Sequence, residues 1–520
     1  MKNKSLAIII LLFAACQQTA ILAETKCQGE TLSTERLFIQ QLSDTSIIIK
    51  WRGAATSVCL GEKSSRLDMA YPAEIEDGHR IARIQGLKAD TDYFYSIGGA
   101  DKATPGYRFR TAPATGSSPR DGHVRLWLLG DSGTATEFDR FTGLIPEHPG
   151  EAAAVRDGFH RYNNNVAGDN HIDAVLLLGD NAYPAGTDDE WQGAFFEIYP
   201  DISRSAATIP TIGNHEMGVA AMNICLFVEM PGCDEGEVIY PVGGTSMSSD
   251  PDSYDGNGDG PDEAGLPYLN IFTLPTRAEL GGAASGTEQY YSSNLGNVHI
   301  VSLDSQLSNS DDDLRDAMKD WLIADLKASQ QQDWKIVIFH HPPYSKGENH
   351  DSDLEKREID MRQTFAPVFE QYGIDAVYGG HAHNYERSWY LNGHYGMSET
   401  FDAHEHATTD SQGSATFGGP DAPYKQDDHL VYTVAGSSGK AGEWHPCRPE
   451  QFSNGQAFGC TMDNWLMHPA HRTFERLDKD YRQHGIARLG SVVIDATATS
   501  FTSRFVDYRG ELLDTFVIQK

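Results

Sequence analysis

Seven residues with metal-binding heads stand just past apolar runs: Asp131 in "GDSG", Asp180 and Tyr183 in "GDNAY", Asn214 in "GNHE", His340 in "VIFHHPPY", and His381 and His383 in "GGHAH". A single Gly-Asp after a strand is ordinarily a turn. Seven oxygen and imidazole donors together are enough for two metal ions that share one bridging carboxylate. Such a set without thiolates suits iron, zinc or manganese rather than copper(I) or an iron–sulfur cluster. Glycines precede Asp131, Asp180, Asn214 and His381, which lets backbone approach closely at those points.

Side chains this far apart in sequence meet only if the elements that carry them end on one crevice, as loops at the C-terminal ends of strands do in an open α/β sheet. The runs "VRLWLLGD", "IDAVLLLGD", "IPTIGNHE", "NVHIVSLD", "KIVIFHH", "IDAVYGGHAH" and "LVYTVAGS" alternate with helical patterns. That alternation predicts an α/β fold, a layered sheet sandwich flanked by helices, over residues 123–520. In "DDDLRDAMKDWLIADLKAS", Leu314, Met318, Trp321, Leu322 and Leu326 share one helical face and acids fill the first turn, so these apolar residues belong to the core. Residues 24–113 carry short β-like runs such as "SIIIKW" and "DYFYSI", expected to form a small all-β sandwich of the fibronectin-III-like type. Residues 114–122 then read as a linker. Segments near 218–265, 396–428 and 441–485 read as inserted loops, and the C-terminal 24 residues as a hairpin turning near Arg509 and Gly510, expected to close one sheet edge.

The ordered blocks GDxG, GDxxY, GNHE, VxxH and GHxH resemble the purple acid phosphatases among the calcineurin-like metallophosphoesterases. They span residues 130–383, and a β-sandwich ahead of the catalytic part extends the resemblance to most of the chain. The resemblance implies that Asp131, Asp180, Tyr183 and His383 hold an iron(III), and that Asp180 bridges to a divalent iron, zinc or manganese held also by Asn214, His340 and His381. Tyr183 is the discriminating position, because its phenolate gives the family its colour. A metal-held hydroxide would attack the phosphorus of a phosphate monoester, with activity at acidic pH. His215 is implied as a substrate contact, or as a group orienting Asn214. His350, ten residues past His340, matches a histidine that binds phosphate or protonates the leaving group, against the plainer reading of an exposed loop residue. A phosphodiesterase or nucleotide pyrophosphatase on the same metals, and a surface binding protein without turnover, are the alternatives.

Other candidates have plainer accounts. His341 should point away from the ligands if its segment stays extended. Glu386 and Arg387 should brace the site by hydrogen bonds, and Asp304 should form a turn. "DGNGDG" spaces Asp255, Asn257 and Asp259 like the start of a calcium loop, but Leu266 stands where an EF-hand needs glutamate, so an acidic turn is favoured over a calcium-stabilised one. His404 and His406 in "DAHEHA" suit a solvated loop better than a surface metal site.

The 520-residue chain is 39% apolar, ample for a large core, and its net charge of -33 argues against nucleic-acid or anionic-membrane partners. The expected substrates are phosphorylated small molecules or phosphoproteins. Lys2 and Lys4 ahead of an apolar run from Leu6 to Ala15 read as an export leader over residues 1–23, too short to span a bilayer. "FAAC" resembles a lipobox that would leave Cys16 for a lipid anchor; cleavage after Ala23 is the rival. The destination is therefore periplasmic, an outer-membrane lipoprotein or secreted. An even set of six further cysteines favours disulfides, with proximity pairing Cys27 with Cys59, Cys225 with Cys233, and Cys447 with Cys460. The resemblance also allows a homodimer.

Overall fold

The computed structural model describes residues 27–133, 150–167, 171–183, 186–217, 219–223, 239–243, 266–307, 312–347, 350–441, 456–457, 460–461, 465–475 and 481–520. The leader with Cys16, the turn with Asp255, Asn257 and Asp259, and Cys225, Cys233 and Cys447 lie outside them.

Two large sheets pack on a common core. In the first, β1 (Val124–Leu129), β2 (Ala174–Leu177) and β3 (Ala207–Pro210) run parallel, and every residue of all three is buried. Burial on both faces is why these segments read as continuous rather than alternating apolar runs. The second sheet holds β4 (Trp334–Ile338), β5 (Ala376–Gly379) and β6 (Val431–Ala435), parallel to one another and to Val298–Ser302. Hydrogen bonds link the two sheets directly. Tyr291 donates from its hydroxyl to the Pro210 carbonyl at 2.6 Å, and Ser302 Oγ donates to the same oxygen at 3.1 Å. Helices cover the outer faces. Glu151–Tyr162 lays Phe159 on Trp127 at 4.3 Å between ring centroids, and Asp312–Ala328 buries Met318, Trp321, Leu322 and Leu326 as its spacing predicts, with Leu314 only half-buried in its first turn.

The C-terminal hairpin forms from Ser500–Asp507 and Leu512–Gln519, with Gly510 in the left-handed region at φ 85°. It does not close the edge. Tyr424–Lys425, from the segment read as an inserted loop, adds a short parallel strand beyond it, pairing with Ile518 and Gln519. A two-residue strand carries no periodic signal, so nothing in its composition announces it. "DAHEHA" likewise winds into one helical turn, Ala403–His406, capped by the Asp402 carboxylate.

Residues 35–110 form eight strands in two groups. Met69–Pro72, Ser57–Gly61, Asp92–Ile97 and Arg108–Arg110 make a separate four-stranded sheet. The others, led by Glu35–Gln40, continue the first large sheet, because Ile39 pairs parallel with Ala207 of β3. Arg36 and Arg52 both reach the Asp188 carboxylate, at 2.7 and 2.6 Å, and lock this junction from outside the sheet. Cys27 and Cys59 are disulfide-bonded, as their proximity indicates.

Candidate metal centre

β1, β2 and β3 are parallel, so the turns after them open on one side, where Gly130-Asp131, Gly179-Asp180 and Gly213-Asn214 follow in turn. β4 and β5 deliver His340 and the His381–His383 pair from the facing sheet. Among the described residues nine that are not glycine have a left-handed φ, and three of these are Asp131 (51°), Asp180 (52°) and His381 (70°). Such backbone costs on the order of 1–3 kcal/mol per residue and persists only where the surroundings impose it. Close approach is the local cause at two of the neighbouring glycines. A Cβ on Gly213 would lie 2.2 Å from Asp180 Oδ1, and one on Gly380 would lie 2.4 Å from Asp131 Oδ2.

The expected donors converge in two groups that share Asp180. In one, Tyr183 Oη lies 3.1 Å from Asp131 Oδ1, 3.2 Å from His383 Nε2 and 3.4 Å from Asp180 Oδ2. In the other, His340 Nε2 lies 3.2 Å from Asp180 Oδ2 and 3.1 Å from Asn214 Oδ1. Metal bonds of about 2.0–2.2 Å place neighbouring ligand atoms about 3.0–3.4 Å apart, so these spacings fit donors facing a common ion. His381 completes the second group, its ring centroid 5.0 Å from that of His340.

The outer hydrogen bonds select the nitrogens that face inward. His340 Nδ1 donates to the Leu178 carbonyl at 2.9 Å, which turns Nε2 toward Asp180 and Asn214. His381 does the reverse. Its Nε2 donates to Glu355 at 3.0 Å, and its buried Nδ1 has no partner among the described residues. An imidazole held by a carboxylate on one nitrogen, with the other bare, is the usual arrangement of a metal-binding histidine.

The electrostatics follow from burial among carboxylates. Burial pulls His340 down, but Asp180 and Asp131 outweigh it and hold the imidazole up at about 9. Burial would raise Asp180, yet His340 and His215 keep it far below the ordinary carboxylate range. Burial, with Asp131 and Asp180 alongside, pushes the Tyr183 phenol well above its ordinary value. A pocket this negative and this dry is stable with cations in it.

Sequence reasoning missed three residues here. Glu216 is fully buried and accepts backbone N–H groups of Asp180, Asn181 and Gly213 at 2.8, 2.7 and 2.7 Å, tying the turn after β2 to the turn after β3. Its place as the last letter of "GNHE" was the only available signal. Glu355 joins His381 to His350, whose Nδ1 lies 2.7 Å from its other oxygen. Lys440 stands over the Tyr183 ring, its Nζ 3.4 Å from the centroid.

His341 corrects the expectation that it points away. β4 ends at Ile338, so the two-residue alternation stops before His341, whose ring lies 4.4 Å from that of His381. Its Nδ1 meets Ser305 Oγ at 2.8 Å, and its Nε2 is buried beside the candidate donors without a partner among the described residues. Of the supporting residues Asp304 forms the expected turn, whereas Glu386 and Arg387 hydrogen-bond to residues outside the seven donors. Asp304 accepts the Gln306 N–H in a turn, Glu386 accepts from Ser345, Asn384 and His471, and Arg387 donates to Asp514 at 2.7 Å. Burial would raise Asp514, but Arg387 and Arg472 hold it down at about 2.

The sequence profile of the calcineurin-like phosphoesterase family matches residues 124–385, just over half of the chain and the whole stretch from β1 to the histidine pair. The chain belongs to the calcineurin-like phosphoesterases. Within that family it is similar to purple acid phosphatase 1 of Ipomoea batatas, 27% identical over 316 residues covering 59% of this chain and 50% of the relative. It is also similar to the Fe(3+)-Zn(2+) purple acid phosphatase 12 of Arabidopsis thaliana, 25% identical over 316 residues covering 59% and 51%. The chain thus spans about half the length of these curated relatives. The solved purple acid phosphatase PPD1 from yellow lupin seeds shares the fold of this calcineurin-like protein, with a TM-score of 0.57 over 94% of this chain and 74% of the lupin chain at 15% identity.

Proposed function

We propose that the protein is an exported dinuclear-metal acid phosphatase that hydrolyses phosphate monoesters. The observation that carries this reading is the position of Asp180, whose Oδ2 lies 3.4 Å from Tyr183 Oη on one side and 3.2 Å from His340 Nε2 on the other, where one carboxylate can serve two ions. Asp131, Asp180, Tyr183 and His383 would hold iron(III), and Asp180, Asn214, His340 and His381 a divalent ion. When bound, the pair supplies positive charge for the phosphate oxygens and a water acidified enough to attack phosphorus at low pH.

The chain's own groups do the rest. His215 donates its backbone N–H to Asp180 Oδ1 at 2.8 Å and packs its ring 4.4 Å from that of Tyr183, leaving a partly exposed imidazole to hydrogen-bond a phosphate oxygen. His350 is held by Glu355 through Nδ1, so Nε2 is the atom that would hand a proton to the departing alkoxide. Glu355 is thus a positioning residue for two histidines. The Cys27–Cys59 disulfide supports export, since such bonds persist in oxidising compartments. No helix among the described residues is long and apolar enough to cross a membrane, and membrane attachment in this reading is through a lipid on Cys16.

A leaving-group series tests the chemistry. His350→Ala should slow alkyl phosphates by roughly 10²-fold or more while barely affecting p-nitrophenyl phosphate, whose leaving group needs no proton. Equal slowing across the series would remove His350 from proton transfer. Hydrolysis of diesters in preference to monoesters would move the protein to the phosphodiesterase side of its family.

A further inference from the structure

The segment "AGSSGK" after β6 is absent from the chemistry above, yet it is built against the metal centre. Ser438 accepts the Gly130 N–H on its hydroxyl at 3.3 Å and returns its own N–H to the Gly130 carbonyl at 3.1 Å, a two-way clasp on the turn that carries Asp131. A Cβ on Gly436 would lie 2.3 Å from the Ala382 carbonyl, between the two histidines, and one on Gly439 would lie 2.8 Å from the Asp131 carbonyl. The turn is therefore seated on the backbone of both ligand-bearing loops, and the next residue, Lys440, is placed by them.

Lys440 is 5% exposed, with Nζ 3.4 Å from the centre of the Tyr183 ring. Among the described residues no carboxylate forms an ion pair with it, although Asp131 and Asp180 both reach the hydroxyl of the same tyrosine. Attraction to an aromatic face offsets only part of the cost of taking an ammonium out of water. With cations bound, the charge of those carboxylates would be taken up by the metals, and the ammonium would be left to meet an anionic ligand. His215 also packs against the Tyr183 ring, at 4.4 Å between centroids.

We propose that Lys440 contacts the substrate phosphate, its ammonium braced on the Tyr183 ring and donating to a phosphate oxygen beside His215. The inference rests on the phosphatase reading and adds to it a cation from the protein itself, one that favours the terminal phosphate of a monoester, with its additional ionisable oxygen, over the phosphate of a diester.

The test uses the full chain loaded with metal and inorganic phosphate as the probe, with affinity measured by calorimetry and metal content by elemental analysis. Lys440→Met should weaken phosphate binding by roughly tenfold or more, raise KM for monoesters with a smaller change in kcat, and keep both metals. Lys440→Arg should restore most of the affinity. Should the Met variant lose its fold, Lys440→Gln, which keeps a polar head, carries the same measurement. Phosphate affinity equal to wild type in a metal-replete variant overturns the proposal. So does loss of metal with unchanged affinity per loaded site, which would make Lys440 a counter-charge for the acidic cluster. A wild-type protein that binds neither metals nor phosphate overturns the phosphatase reading instead.

Discussion

Asp180→Asn is expected to reduce kcat by roughly 10³-fold or more and to lower the metal content from two ions per chain toward one. Loss of a single preorganised group facing developing charge already costs about 10²–10³ in kcat, and Asp180 is shared by both donor groups. Asparagine is the informative replacement. Asp180 has a φ of 52°, a conformation that Asn tolerates and Ala does not, so the variant removes the charge without adding backbone strain. It also keeps an oxygen able to accept the His215 N–H. Elemental analysis and steady-state rates at saturating metal decide the matter. Two ions still bound and a kcat within tenfold of wild type would mean that Asp180 bridges nothing.

Tyr183→Phe is expected to abolish a strong visible absorption band while the protein stays folded. The ring would keep its packing against His215 and beneath Lys440, and only the hydroxyl that faces Asp131, Asp180 and His383 would go. In a buried pocket beside two carboxylates the phenol holds its proton far above the ordinary range, so the metal-free protein should show no phenolate absorption near neutral pH. Colour in the loaded wild type therefore reports a phenolate made stable by a bound cation. A colourless wild type that nevertheless binds two ions would point to zinc or manganese in place of iron(III). A coloured Phe variant would show that another side chain donates to the iron.

Short-range order explains what could be read in advance. A buried strand, its stop at glycine and the polar residue that follows lie within about ten residues, so β1, β2, β4 and β5 with their terminal donors were legible from local pattern alone. The helix over Asp312–Ala328 and the turn at Gly510 were legible for the same reason, periodicity in one and positive φ in the other. His341 failed this kind of reading because alternation applies only while a strand continues, and β4 stops three residues earlier. The edge strand at Tyr424–Lys425 is too short to carry any pattern.

By itself the sequence determined the set of donors, the turns that present them and the layered class of fold, since each depends on neighbours along the chain. Only the tertiary structure decided which groups stand behind those donors. Glu355 behind His381, Glu216 across two turns and Lys440 over Tyr183 are contacts made by packing. The continuation of the first sheet into residues 35–40 is another, resting on one pair of residues 168 positions apart, Ile39 and Ala207. No local preference encodes such a pair, because its free energy comes from closing long loops and burying surface that exists only once the sheets have met.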